Sequence, residues 1–151
     1  MPVRCAVPAD LAELTTLFAG YLQFYQAPRS RADIEVFLAA RLARQDSVLL
    51  LACDAAGTGL GFVQLYPFFA SLHLAPAMLL SDLYVLPEAR RQGLAEQLMH
   101  AARAHAKASG ACGLQLETAR DNRAGQALYE KLGYVRDEVF YTYWLELRGT
   151  A

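Results

Sequence analysis

Two periods of hydrophobic and polar positions alternate along the chain, and the switches between them mark its elements. Val3 to Val7 is a short apolar segment closed by Pro8, the pattern of a first strand. From Asp10 the period becomes helical, with Leu11, Leu14, Leu17, Phe18, Tyr21, Leu22 and Tyr25 on one side until Ala27-Pro28 breaks it. Ser30, followed three residues later by Asp33, resembles a capping box and starts a second helix. That helix turns Ile34, Phe37, Leu38 and Leu42 inward and ends near Arg44. Ser47 to Cys53 reads as a strand, Asp54 to Gly59 as a hairpin turn, and Leu60 to Phe69 as the returning strand, frayed at Pro67. A loop from Ala70 to Pro76 follows.

The next stretch, Leu79 to Leu98, organises the rest. Leu79 to Leu86 is an apolar run with a single acid, Asp82, of the length and density of a strand buried on both faces. Pro87 ends it, and Glu88, Ala89, Arg90, Arg91, Gln92 and Gly93 form a short basic turn. From Leu94 the spacing is helical again, with Leu94, Leu98, Ala101 and Ala102 on one side and Gly110 as the stop. A strand feeding a glycine-containing turn and then a helix leaves backbone N–H groups and a partial positive charge where an anion can sit. Gly93 lets that backbone come close to a ligand, small Ala95 keeps the first helical turn open, and the two arginines suggest a ligand that bears phosphate. Downstream, Gly113 to Thr118 reads as a strand, Asn122 to Leu132 as the last helix with Gly133 as C-cap, and Tyr134 to Leu147 as closing strands rich in aromatic and β-branched residues. The predicted order is β-α-α-β-β-β-α-β-α-β-β, a mixed α/β layer.

Composition narrows the class without changing this picture. The chain has 151 residues, enough for one domain with a proper core, and its 55% hydrophobic content owes much to alanine. No apolar run approaches the roughly 18 residues of a membrane span, and the first ten residues contain no signal-peptide core. A net charge of −1 argues against bulk electrostatic binding to nucleic acid or membranes. Cys5, Cys53 and Cys112 are odd in number and widely spaced, which indicates neither a disulfide framework nor a metal site and points to a reducing cytoplasm. His73, His100 and His105 show no triad or metal spacing. A dinucleotide-binding reading fails because the turn supplies one glycine of the three in G-x-G-x-x-G, and a P-loop reading fails for want of G-K-S/T.

Two motifs then carry a resemblance. Arg90-Arg91-Gln92-Gly93-Leu94-Ala95, directly after Asp82-Leu83-Tyr84-Val85, resembles the acyl-CoA signature R/Q-x-x-G-x-G/A of the GNAT superfamily of N-acetyltransferases. Asn122, Leu128, Tyr129, Gly133 and Tyr134 fit that family's ending N-x5-L-Y-x3-G-F/Y. The resemblance covers nearly the whole chain and implies a single acetyltransferase domain over residues 1–151, with the element order read above. It implies that acetyl-CoA is the cosubstrate, its pyrophosphate held by the turn Arg90, Arg91, Gln92, Gly93, Leu94 and Ala95, the N–H groups from Arg91 to Ala95 above all. The backbone of Leu83, Tyr84 and Val85 would pair with the pantetheine arm as an added strand does. The family also places Asn122 at the cofactor, a residue that by itself reads as a helix N-cap.

Tyr129 alone reads as an aromatic on an amphipathic helix; the resemblance makes it the residue that hydrogen-bonds the departing CoA sulfur. A tyrosine of pKa about 10 is a weaker acid than a thiol of about 8.5, so full proton transfer is uphill by roughly 2 kcal/mol, and stabilising the thiolate is the better role. Asp82 is either buried for a structural reason or turned to a cleft. An alkylamine of pKa about 10.4 is neutral in about 1 part in 2,500 at pH 7, a cost of roughly 4.6 kcal/mol. Something must take that proton, directly or through water, and Asp82 is the nearest candidate, with Glu117 second. Some polyamine-acetylating relatives carry two adjacent acids here; this chain has Ser81-Asp82, which leaves the base and a polyamine substrate open.

The resemblance implies a primary amine as acceptor, and Tyr21, Tyr25, Tyr66, Phe68 and Phe69 are as compatible with lining its pocket as with ordinary core packing. The chain looks most like the histone-and-polyamine acetyltransferase branch, while an aminoglycoside, an amino acid, a polyamine and a protein lysine all stay open. The rival function is a non-enzymatic acyl-CoA-binding sensor or scaffold. A homodimer is expected as well. Along Phe140 to Leu147, Tyr141, Tyr143 and Leu145 alternate with Phe140, Thr142, Trp144 and Glu146, and only one of the two faces would pack inside the chain.

Overall fold

The computed structural model describes residues 2–149. The chain forms two compact units, divided between Glu117 and Thr118. The expected domain bounds, 1–151, include residue 1 and residues 150–151, which lie outside the described residues.

In the first unit, β1 (Val3–Cys5), α1 (Leu11–Phe24), α2 (Arg31–Arg44), β2 (Val48–Cys53), β3 (Gly59–Ala70), β4 (Ala75–Val85), α3 (Leu94–Ala108) and β5 (Leu114–Leu116) follow in that order. The five strands lie side by side in sequence order. Neighbours from β1 to β4 are antiparallel and β5 is parallel to β4. The mixed α/β class is therefore as the pattern of the sequence predicts.

Each boundary has a local cause. Ser30 accepts a hydrogen bond from the Asp33 N–H at 3.1 Å and starts α2. Asp10 stands at the start of α1, but its carboxylate turns back to the strand. Arg4 donates to both of its oxygens, at 2.7 and 2.8 Å, and the Val7 N–H adds a third bond at 2.7 Å. The Arg4 guanidinium holds the Asp10 carboxyl below its usual range. β3 runs straight through Pro67 instead of fraying there. β2 pairs with β3 only as far as Leu65, so Pro67 lies where β3 has β4 alone as a neighbour and a missing N–H costs little.

One face of the sheet carries α1 and α2. Leu14, Leu17, Ile34 and Leu38 pack on Leu49, Leu51 and Phe62, and Tyr84 lies against this cluster. Gly20 lets α1 approach β4: a Cβ on it would come within 2.6 Å of the Tyr84 hydroxyl oxygen. α3 buries Leu94, Leu98, Met99, Ala102 and Ala106. The β3–β4 ladder slips once. Gln64 faces Asp82, but the next residue, Leu65, faces Leu80, so Ser81 is an extra residue on β4. The slip reverses which side chains of β4 face which layer. Asp82 and Tyr84 share the α1/α2 face with Gln64 and Phe62, while Leu80 shares the other face with Leu65.

The second unit holds α4 (Arg123–Lys131), capped at its start by Asn122 and left through Gly133 in the left-handed conformation, φ +95°. The closing strands expected over Tyr134 to Leu147 are absent: residues 134–149 contain no strand. High β-propensity forms a strand only where a neighbouring backbone completes the ladder. Here backbone N–H groups are taken locally instead. Asp137 accepts from Val139 and Phe140 at 3.1 and 3.0 Å, and Glu146 accepts from Arg148 at 3.1 Å. The inside-and-outside alternation expected there is missing too, since Phe140, Tyr141, Tyr143, Trp144 and Leu145 are all exposed.

Candidate active site

The slip at Ser81 turns one carboxylate into the aromatic side of the sheet. Asp82 is 6% exposed and lies directly across the ladder from Gln64, which is fully buried. The Gln64 amide donates from Nε2 to Asp82 Oδ2 at 2.8 Å, and its Oε1 accepts from the Ser47 hydroxyl at 2.8 Å. The Ser81 hydroxyl makes a longer contact, 3.3 Å, with the other carboxylate oxygen, Oδ1. Tyr21 reaches across from α1 and donates to the Ser81 carbonyl at 3.2 Å. Its ring meets that of Tyr25 edge-on at 5.1 Å between centroids. Among the described residues no lysine or arginine pairs with Asp82.

An unpaired buried carboxyl holds its proton harder than one in water. Burial pushes Asp82 up from the usual carboxylate range, against the pull of hydrogen bonds from Gln64 and Ser81 and of the nearby Tyr21 hydroxyl. The three phenols nearby are pushed up as well, by burial first and by the Asp82 charge second, Tyr66 to about 12 and Tyr21 further. At neutral pH Tyr21, Tyr25 and Tyr66 are neutral donors, so Asp82 is the member of this cluster suited to take up and release a proton. Glu117, the second candidate in the sequence, is exposed just beyond β5.

The basic turn begins at Glu88, six residues after Asp82. Pro87–Ala89 is a single 3-10 turn. Arg90 then folds back, donating from Nε to the Val85 carbonyl at 2.9 Å, with its guanidinium 5.6 Å from the Tyr84 ring centroid and 5.8 Å from that of Phe24. It thus straps the turn to β4 and α1, which the sequence did not reveal. Arg91 and Gly93 both take the left-handed conformation, φ +63° and +76°. A Cβ on Gly93 would meet nothing within 4 Å, so glycine suits this place for its backbone angles and not for want of room. Gly93 is the N-cap of α3 and brings no side chain to its first turn. The N–H groups of Leu94 and Ala95 have no intrahelical acceptor at that end, and they face outward with the macrodipole behind them. Arg91 and Gln92 are exposed beside them, Ala95 is half-buried, and the Leu94 side chain is buried in the core.

β4 also offers an edge. β5 pairs with Met78 to Leu80 and with no residue beyond. On that side Leu83, Tyr84 and Val85 have no neighbouring strand among the described residues, so an extended ligand with amide groups can add to the sheet there.

The second unit carries the remaining candidates. Asn122 accepts from the Gly125 N–H at 3.2 Å and donates to the Thr118 hydroxyl at 3.0 Å, filling the N-cap role its sequence suggests. Tyr129 is half-buried on α4, its ring centroid 6.2 Å from that of Tyr134, whose N–H closes the helix on the Tyr129 carbonyl at 3.0 Å. Asp82 and the turn therefore share one unit, and Asn122 and Tyr129 share the other. Sequence reasoning passed over Gln64 and Ser47. The available signal was a lone amide in the apolar strand Gly61-Phe62-Val63-Gln64-Leu65.

The chain matches the model of the acetyltransferase (GNAT) family over residues 14–134. It is 39% identical over 147 residues to an uncharacterized N-acetyltransferase of Bacillus subtilis, spanning 97% of this chain and 98% of that protein. It is 30% identical over 106 residues to an aminoglycoside N(6')-acetyltransferase type 1 of Klebsiella aerogenes, spanning 69% of each. A crystal structure of a probable acetyltransferase, 36% identical, superposes with a TM-score of 0.91 over 99% of this chain and 100% of that one.

A stability test follows from the Asp82 environment. A carboxyl whose pKa is raised by folding binds its proton more tightly in the native state. Stability is then greatest at low pH and falls as pH rises from the ordinary carboxylate range through the raised value. Asp82→Asn keeps the shape and an acceptor for Gln64 but removes the buried charge. Its Tm should exceed that of the wild type by a few degrees at about pH 8, since each unit of upward shift is worth about 1.4 kcal/mol. The gap should close toward about pH 4. Parallel thermal-melt curves across that range would show that burial imposes no such cost.

Proposed function

Because this chain belongs to the acetyltransferase (GNAT) family, we propose that it moves the acetyl group of acetyl-CoA to a primary amine by direct attack in a ternary complex. The observation that carries the reading is Asp82: a buried carboxyl, raised in pKa, without a cationic partner among the described residues. Such a group receives an ammonium as its missing counter-ion and accepts its proton. The freed amine nitrogen forms a bond to the acetyl carbonyl carbon, the carbon–sulfur bond breaks, and the thiolate leaves. Tyr129 donates a hydrogen bond to the departing sulfur, with the proton following, and Asp82 is the general base.

The donor fits the turn. Arg90, Arg91, Gln92, Gly93, Leu94 and Ala95 hold its pyrophosphate, mainly through N–H groups of an α3 start that has no side-chain cap. Arg90, already strapped to Val85, keeps the turn in shape, which leaves exposed Arg91 as the cation that meets the phosphate. The free edge at Leu83, Tyr84 and Val85 takes the pantetheine amides, and Asn122 sets the start of the helix that carries Tyr129. The family match spans both compact units, which supports one working domain over residues 1–151. Unpaired Cys5, Cys53 and Cys112, two of them exposed, fit a reducing cytoplasm. No helix among the described residues is long and apolar enough to cross a membrane.

A panel of amines with CoA release as the readout tests this. Polyamines and lysine peptides come first, on the resemblance to the histone-and-polyamine branch. Aminoglycosides follow, on the similarity to the Klebsiella aerogenes protein, and then amino acids. Turnover of at least one class is expected, with Tyr129→Phe lowering kcat by about a hundredfold and leaving acetyl-CoA binding unchanged. Binding of acetyl-CoA without turnover of any amine would make the protein a sensor instead. Gly93→Glu adds a negative charge in open space, and calorimetry should show CoA affinity at least about tenfold weaker, with the circular dichroism spectrum retained. Unchanged affinity would move the pyrophosphate away from the turn.

A second copy of the chain is the proposed partner. Exposed Phe140, Tyr141, Tyr143, Trp144 and Leu145, none of them in a strand, support it, because backbone and rings of this kind are completed by a neighbouring edge. Light scattering at micromolar concentration should give the mass of two chains, and the mass of one, unchanged by acetyl-CoA, would rule the dimer out.

A further inference from the structure

Gln64 stands in the middle of the sheet, fully buried, in a strand whose neighbouring residues Phe62, Val63 and Leu65 are apolar and buried. An apolar residue of similar size would fill that place without two polar groups to satisfy, and such replacements are often neutral or stabilising. The amide is nonetheless used at both ends. Its Oε1 takes the Ser47 hydroxyl proton at 2.8 Å and its Nε2 donates to Asp82 Oδ2 at 2.8 Å. Its orientation follows from the chemistry of its neighbours, since a carboxylate only accepts and the NH2 must face it. The Ser47 hydroxyl, which can donate or accept, then donates to the oxygen left on the other side.

We infer that Gln64 is a positioning residue for Asp82: clamped by Ser47, it locks Oδ2 and leaves Oδ1, which the Ser81 hydroxyl meets at the longer 3.3 Å, as the oxygen that takes the proton. The inference rests on the reading of Asp82 as the base. A donated hydrogen bond favours the ionised carboxyl and opposes the burial that favours the neutral one. The titratable groups that feel the Asp82 charge are Tyr21 of α1, Tyr25 just past its end and Tyr66 of β3. Arg41 of α2 acts on Tyr66 and is held by Asp46 at 2.7 Å. The buried residues of α3 are all apolar, and β5 consists of leucine, glutamine and leucine. Gln64 is thus the neutral donor that tunes this carboxyl from within the sheet.

The test reads Asp82 itself. In protein with 13C-labelled aspartate, the carboxyl resonance that Asp82→Asn removes is followed through a pH titration. Gln64→Leu should raise its pKa by about one to two units, the worth of a hydrogen bond to a charged group. Ser47→Ala, which frees the amide without removing it, should raise it by less, and it tests the same point if Gln64→Leu fails to fold. The acid limb of kcat/KM, measured with the fastest amine of the panel, should move up with it, while Gln64→Leu should add nothing in an Asp82→Asn background. An Asp82 pKa that stays put in both variants overturns the inference and leaves the base reading standing. A pKa that moves while the kinetic limb does not overturns the base reading, and with it the catalytic part of the inference.

Discussion

One extra residue in β4 sets the chemistry of the first unit. With Ser81 outside the ladder, Asp82 faces Gln64 and lies on the same side as Tyr84, under the aromatic residues of α1. Without it, residue 82 would share a face with Leu80, on the side away from Phe62 and the α1/α2 cluster. β5 ends at Leu116, opposite Leu80, so the unpaired edge of β4 starts at the same place as the bulge. The buried acid and the free strand edge thus lie next to each other on β4. One points into the α1 side, the other lies along the rim where β5 ends.

The second constraint is energetic. A carboxyl this deep in the protein, with an amide, a hydroxyl and phenols around it but no cation, is kept at a cost to stability. The surrounding core is well able to carry it. Leu14, Leu17, Leu38, Leu51, Phe62 and Leu65 are all but completely buried around the same strands, and each such side chain contributes about 1.5–3 kcal/mol. Tyr21 shows how tightly the two are joined. Its ring packs against Phe18, Tyr25 and Phe62, and its hydroxyl ends on the Ser81 carbonyl at the bulge. Packing on α1 and chemistry on β4 are therefore not separable by position, and a substitution at Tyr21 acts on both.

The turn after β4 obeys a different rule. Its groups are arranged by backbone angles, not by burial. Arg91 and Gly93 in the left-handed region swing the chain round into α3, and Arg90 braces the swing against Val85, Tyr84 and Phe24. Both arginines of the motif are exposed, but Arg90 is engaged by the Val85 carbonyl and two rings. A pair that looks symmetrical in the sequence divides its labour in space.

Much of this was legible in the sequence because it is local. Ser30 and Asn122 as caps, Gly133 as the exit of α4, the switch from strand to helix across Pro87 to Leu94, and the two family motifs depend on residues within a few positions of one another. The same local reading identified Asp82 as an acid out of place in an apolar strand. What it missed depends on partners far along the chain. The bulge at Ser81 exists only relative to β3, and the grip of Gln64 on Asp82 joins residues 18 positions apart. Pro67 reads as a point of fraying because nothing near it in sequence shows that β2 has already stopped. The residues from Tyr134 to Leu147 have every local mark of strands and form none, because a strand needs a neighbour's backbone, and the N–H groups of Val139 and Phe140 bond Asp137 instead. Local spacing determined the elements, their caps and the type of chemistry. Only the tertiary register decided which way the acid faces and what holds it, because side chains alternate by single residues and one residue more reverses them.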